Sequence, residues 1–240
     1  MLVEGFPARV AGTNCWVVAP QAGEQCVIVD PGVGVGPELD EIIERHRLHP
    51  VAVLLTHGHI DHTFSVVPVC QARGVPAYIH PTDRGQLADP WSGLGLPFGA
   101  PMLGITGLTF AEPDDVRTLA DGEALELAGL TLRVESAPGH TAGSVVFGTA
   151  DGGPDGAPVL FTGDLLFAGS IGRMDMPSGS EADMVRSLNR VVLPRPDETV
   201  VHAGHGESTT IGRERRSNPY LQNVDWAPAG SGSLGGTDRG

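Results

Sequence analysis

Thr56-His57-Gly58-His59-Ile60-Asp61-His62 follows directly on the apolar run Val51-Ala52-Val53-Leu54-Leu55. Three histidines and an aspartate thus stand just beyond a segment dense enough in Val and Leu to predict a buried strand. A strand end is a rigid mount, and imidazole nitrogen together with carboxylate oxygen suits zinc, iron or manganese. A His-rich surface turn would offer the same residue types. The choice between the two depends on whether the rest of the chain supplies further ligands.

Three other predicted strand ends do. Val134-Glu135-Ser136-Ala137 runs into Pro138-Gly139-His140-Thr141, Leu160-Phe161-Thr162 into Gly163-Asp164, and Val200-Val201 into His202-Ala203-Gly204-His205-Gly206. In each, a small residue directly precedes the candidate ligand, which lets the backbone pack closely around an ion. One such strand end would carry little weight. Four of them are a strong convergent signal of a metal centre.

The bulk properties remove several function classes. At 240 residues the chain suits one large domain or two small ones. Its 29 acidic against 15 basic residues give a net charge of -14, a surface expected to repel nucleic acid and anionic membranes. Every basic side chain is arginine, so a Schiff base or lysine nucleophile is excluded. Cys15, Cys26 and Cys70 lack CxxC spacing, which argues for a reducing compartment and for buried, inert thiols at Cys15 and Cys26. The N-terminal residues lack a basic start followed by an apolar stretch, and no apolar run approaches the roughly 20 residues that span a bilayer. The expected location is the cytoplasm.

Patterning predicts strands over 14–18 and 26–30, then a helix opened by Pro37 with Leu39, Ile42 and Ile43 on one face. A helix over 63–73 and a short strand over 77–79 follow. Residues 84–106, carrying Trp91 and Phe98, read either as a lid or binding loop or as an excursion tucked against the core. Beyond them come a hairpin about Gly129 and strands over 144–149 and 158–161. Ser180 with Asp183 resembles a capping box before the stripe Met184, Val185, Leu188, Val191 and Val192. The last clear strand covers 199–201. Residues 1–226 are expected to form the domain, and the Gly/Ser-rich 227–240 a disordered tail.

The order HxHxDH, GHT, TGD, GHG resembles the metallo-β-lactamase-fold hydrolases, and within them the short glyoxalase II-like (hydroxyacylglutathione hydrolase-like) branch. The resemblance covers residues 14–221. It implies an α+β, four-layered αβ/βα sandwich with the metal site at the edge of two sheets. Carried over residue by residue, His57, His59 and His140 would hold a first metal. Asp61, His62 and His205 would hold a second, and Asp164 would bridge them, so that Asp61 and Asp164 are the catalytic carboxylates. Two divalent ions are implied, zinc first, with iron or manganese as alternatives. Asp30 would support the ligands from behind. His80 and His202 match no ligand position and are expected to make local hydrogen bonds, while His46 and His49 read as solvated.

Such a site would supply hydroxide at neutral pH to a carbonyl, and a thiolate leaves more easily than an amide nitrogen. The resemblance therefore implies hydrolysis of a small-molecule thioester, with Arg173 of Gly172-Arg173-Met174-Asp175 and Trp91 as candidate substrate contacts. An ion pair with Asp175 is the alternative role for Arg173. Asp164 stands where zinc β-lactamases of this fold often place cysteine. RNA-processing relatives carry basic exosites that this acidic chain lacks. Full-length glyoxalase II proteins add a C-terminal helical domain that grips glutathione; the expectation is that residues 211–240 supply no equivalent, so that another thiol takes that place. Persulfide dioxygenases, which use one iron, share these motifs and are the rival class. A lactonase or a non-catalytic metal-binding protein fits less well, because all seven ligand positions are intact. Nothing in the residues sets the oligomeric state.

Overall fold

The structure, a computed structural model, describes residues 1–101, 107–150, 152–222 and 224. The first sheet contains β1 (Leu2–Pro7), β2 (Asn14–Ala19), β3 (Gln25–Val29), β4 (His49–Leu54), β5 (Ala77–Ile79) and β6 (Val116–Thr118), in that spatial order. β1, β2 and β3 pair antiparallel, and β3 to β6 pair parallel. The second sheet draws on β7 (Ala124–Leu127), β8 (Leu130–Ser136), β9 (Val145–Thr149) and β10 (Val159–Gly163). After the small ribbon of β11 (Leu166–Phe167) and β12 (Ser170–Ile171), it is completed by β13 (Val200–Ala203) and β14 (Thr209–Thr210). Its order is β14-β13-β10-β9-β8-β7.

Side chains on successive strand residues point to opposite faces, and here both faces are buried. On β3, Val27 and Val29 enter the core between the sheets while Cys26 and Ile28 face the outer helices. On β4, Ala52 and Leu54 face inward and Val53 outward. The apolar runs are continuous for this reason. The inner layer is closed from the second sheet by Leu132, Val134, Phe147 and Phe161.

Helices α1 (Gly36–His46), α2 (Ile60–Thr63) and α3 (Val66–Arg73) follow strands of the first sheet. Leu39 and Ile42 of α1 and Val66, Val69 and Cys70 of α3 cover its outer face. Beyond α4 (Pro90–Leu94), the second sheet is covered by α5 (Glu181–Ser187), a π-type turn over Leu188–Val192, and α6 (Ile211–Ser217), with α7 (Pro219–Gln222) closing the chain. Met184, Leu188, Val191, Val192 and Ile211 pack there against Val146, Leu160 and Val201. The layers run helix, sheet, sheet, helix, as expected of an αβ/βα sandwich.

Local chemistry explains the boundaries. Ser180 Oγ accepts the Asp183 amide N–H at 3.2 Å and caps α5. Ala128 and Gly129 both take positive φ (54° and 72°), the requirement of a tight two-residue hairpin between β7 and β8. The helix expected over 63–73 is broken instead, because the Ser65 amide bonds Pro31 O and the Ser65 hydroxyl bonds Gly32 O, which ties the chain to the β3 end. His46 is not simply solvated, since its Nε2 lies 2.6 Å from Glu4 Oε2. Residues 227–240 lie outside the described residues. Among the described residues, no helix is long and apolar enough to cross a membrane.

Candidate metal centre

All seven predicted ligands come together beyond the carboxyl ends of β4, β8, β10 and β13. His57, His59 and His140 offer nitrogens within 4.8 Å of one another, as do Asp61, His62 and His205 with their ligand atoms. Asp164 lies between the sets. Its Oδ1 stands 3.2 Å from His62 Nε2, and its Oδ2 stands 3.5 Å from His140 Nε2 and 3.6 Å from His205 Nε2. Asp61 Oδ2 is 3.3 Å from His205 Nε2 and 3.6 Å from His62 Nε2. Ligand atoms held ~2.0–2.2 Å from one tetrahedral ion stand at about such separations.

Glycine makes the approach achievable. A Cβ at Gly204 would lie 2.2 Å from Asp164 Oδ1, and Gly163 carries φ +48° with its Cβ position 2.4 Å from Thr56 Oγ1. No other residue fits either place without displacing a ligand or its support. The His205 loop is also stitched to the first sheet. Asn14 N donates to Gly204 O at 2.7 Å, and Asn14 Nδ2 donates to Ala203 O and Gly206 O.

Neighbouring groups set the imidazole tautomers. His62 Nδ1–H donates to Asp30 Oδ2 at 2.9 Å, and His140 Nδ1–H donates to Arg173 O at 2.7 Å. Thr56 Oγ1 donates to Asp30 Oδ2 at 2.6 Å, so it accepts from His57 Nδ1–H at 3.1 Å. Each arrangement leaves Nε2 as a lone pair aimed into the cluster. Asp30 takes positive φ (52°) to do this, a conformation that its supporting role justifies. Thr13 Oγ1 donates to Asp61 Oδ2 at 2.8 Å.

The electrostatics favour a cation. Burial pushes His57 well below the usual imidazole range, and burial with His140 beside it brings His59 down to about 4, so both are neutral donors at pH 7. Burial alone would raise Asp61, yet His62, His205 and Thr13 hold its carboxyl far below the carboxylate range. Asp164 is likewise held down, chiefly by His62 against its burial. Burial would lower His62 too, but Asp164, Asp61 and Asp30 together raise it well above the histidine range. Burial would lower His205 as well, but Asp61 and Asp164 raise it, and a cluster of carboxylates that draws two imidazoles towards protonation is short of positive charge. The buried His57 Nε2, His62 Nε2 and Asp164 Oδ1 have no hydrogen-bond partner among the described residues, and His59 turns its Nδ1 towards the same space, 2.8 Å from His140 Nε2. Nitrogen and carboxylate donors so arranged fit two divalent ions.

The cluster opens into a cleft of about 420 Å³, lined beyond the ligands by Leu94, Phe167, Ile171, Met176 and Arg173. Arg173 stands at its rim in an exposed bidentate pair with Asp175 (2.6 and 2.7 Å). Trp91 does not line the cleft. It is 2% exposed, packs against Phe98 and Phe110, and donates its indole N–H to Ala100 O at 2.8 Å. Its helix reaches the cleft through Leu94 instead. A larger cleft of about 1000 Å³ at the far end, around Gly129, Arg133 and Arg195, contains none of the ligands.

His202 bonds Ser208 Oγ at 2.9 Å and stacks on Phe161, and burial brings it down to about 4. His80 Nδ1 accepts from the Thr82 amide at 3.3 Å. Both stay outside the cluster. Burial raises the Cys26 and Cys70 thiols to about 12 and Cys15 further, as inert thiols require. Asp83 was not singled out by sequence reasoning. It is buried, accepts from Gly58 N (2.9 Å), Gly143 N (2.9 Å) and Thr141 Oγ1 (2.6 Å), and so ties the His57–His59 loop to the His140 loop. Its signal was present as an aspartate beyond a strand end, but without the preceding glycine that marked the ligands.

Comparison with known proteins matches these features to one group. The family model for the metallo-beta-lactamase superfamily matches residues 8–205. An uncharacterised protein of Mycobacterium tuberculosis is 46% identical over 225 residues, covering 93% of this chain and 99% of that protein. The hydroxyacylglutathione hydrolase GloC of Haemophilus influenzae is 34% identical over 221 residues, covering 92% and 98%. Among solved structures, the B3 metallo-beta-lactamase BLEG-1 is 35% identical, with a TM-score of 0.78 over 92% of this chain and 99% of that one. With this fold, this cluster of seven candidate ligands and these relatives, the chain belongs to the metallo-beta-lactamase superfamily.

Proposed function

We propose that the chain is a metal-dependent hydrolase of the glyoxalase II-like type, cleaving thioesters of a small thiol. The observation that carries this reading is Asp164 set between two ligand groups at the floor of a cleft whose other described walls hold no acid. Two divalent cations there, zinc in the first instance, would supply hydroxide near neutral pH and take up charge developing on a carbonyl oxygen.

The remaining work falls to the chain's own residues. Asp164 and Asp61 stay ionised, the second held in place by Thr13. Leu94, Phe167, Ile171 and Met176 shield one side of the substrate from water. An amine leaving group would need a proton donor, and among the described residues the walls offer none besides the candidate ligands themselves. A thiolate, with a pKa near ~8.5, departs without one. Arg173 would grip a carboxylate on the thiol with two parallel N–H bonds. It would have to leave Asp175, an exposed pair that solvent screens. The Haemophilus relative named as a hydroxyacylglutathione hydrolase supports the thioester. A chain of net charge -14 without lysine favours a small molecule over nucleic acid.

The test is thiol release from S-lactoylglutathione and from simple acyl thioesters, run beside a β-lactam and beside oxygen uptake on glutathione persulfide, with metal content measured in parallel. Thiol release that chelation abolishes is the expected result. One iron per chain with oxygen uptake and no thiol release would overturn the reading, as would hydrolysis of the β-lactam alone.

A further inference from the structure

We propose that Gln86 is a positioning residue for the first metal site, accepting the hydrogen bond that fixes the tautomer of His59. His59 differs from the other histidines of the cluster in the atom it presents. Its Nδ1, not its Nε2, lies 2.8 Å from His140 Nε2. An imidazole that ligates through Nδ1 carries its proton on Nε2, and a buried N–H needs an acceptor. His57, His62 and His140 each place the remote N–H on an oxygen of Thr56, Asp30 or Arg173. The Nε2 of His59 is buried with no such partner among the described residues.

Gln86 Oε1 is in the complementary position, a buried acceptor also without a hydrogen-bond partner among the described residues. The two groups border one corner. A Cβ built on Gly93 would lie 2.1 Å from Gln86 Oε1 and 3.2 Å from His59 Cδ2, the ring carbon bonded to Nε2. The stem of Gln86 crosses the glycine before His59, where a Cβ on Gly58 would meet Gln86 Cδ at 2.9 Å and Gln86 Cβ at 3.0 Å. Two glycines, one beside His59 in sequence and one in α4, thus make room for this side chain. The two orphaned atoms are not bonded to each other in this structure, so the proposed bond requires a turn about the last side-chain bonds of Gln86. An acceptor behind a metal-bound histidine raises the basicity of the ligand and fixes its orientation.

The experiment needs no substrate, so it stands apart from the thioester reading. Zinc affinity is measured by competition with a chromophoric chelator for the wild type, Gln86→Leu and Gln86→Glu. The imidazole N–H resonances of the zinc-loaded proteins are recorded by 1H–15N NMR, and zinc-free melting curves check folding. Gln86→Leu is expected to weaken the tightest zinc tenfold or more and to lose the slowly exchanging His59 Nε2–H signal. Gln86→Glu, which keeps an acceptor, is expected to restore both. Affinity within twofold of wild type in Gln86→Leu would overturn the assignment, as would a Gln86→Glu protein that binds no better than Gln86→Leu.

Discussion

The two ligand groups differ in enclosure. His57, His59 and His140 are 1%, 4% and 4% exposed, wedged between the strand ends and tied together by Asp83. In the other group His62 is fully buried, but the side chains of Asp61 and His205 are 26% and 28% exposed at the cleft mouth. Structural metal sites are closed and catalytic ones keep an open position. On the proposed reading the first group would hold its metal more tightly, and the second would leave room for the substrate. Asp164 stands within 3.6 Å of histidines from both groups.

The most damaging substitution should be Asp164→Ala, which removes the shared ligand. It is expected to drop metal content below one per chain and activity by roughly a thousandfold. Asp61→Ala should keep the enclosed metal, and equal losses in the two variants would break the contrast between the groups. Graded chelation of the wild type should release metal in two phases, the faster one absent from His205→Ala. A single phase would mean that enclosure does not govern retention. Asp83→Asn should weaken the enclosed site by about 10–100-fold and the open site less, read by the same chelator competition. The smallest effect belongs to Arg173→Ala, expected to raise KM about tenfold with kcat unchanged on a thioester carrying a carboxylate. A fall in kcat instead would bring Arg173 into the reacting centre.

The same contrast in enclosure explains what the sequence discloses. The candidate ligands at four strand ends were legible as one cluster because metal chemistry admits few residue types and close packing demands glycine beside them. Strands β3 and β4 were legible because burial on both faces leaves no polar alternation to misread. The short edge strand β6, whose Arg117 and Thr118 are exposed, has no such signature. β1 was missed for a related reason: it combines Gly5, packed under the Trp16 ring, with a terminal Pro7. The cleft walls were illegible because Leu94, Phe167, Ile171 and Met176 are ordinary apolar residues until the fold brings them together. Trp91 misled, since a tryptophan in an irregular stretch suits a binding loop as well as a small local core, and here Ile60 and Phe110 complete that core. Asp83 and Gln86 act through other residues, which no spacing rule reveals.

The central claim is that one carboxylate joins two metal sites, and anomalous diffraction at the metal edge from crystals of the metal-loaded protein tests it most directly. Two peaks about 3.5–4 Å apart are predicted, one on His57, His59 and His140, the other on Asp61, His62 and His205, with Asp164 contacting both. A single peak on the three histidines, with Asp61 and His205 left unligated, would contradict it.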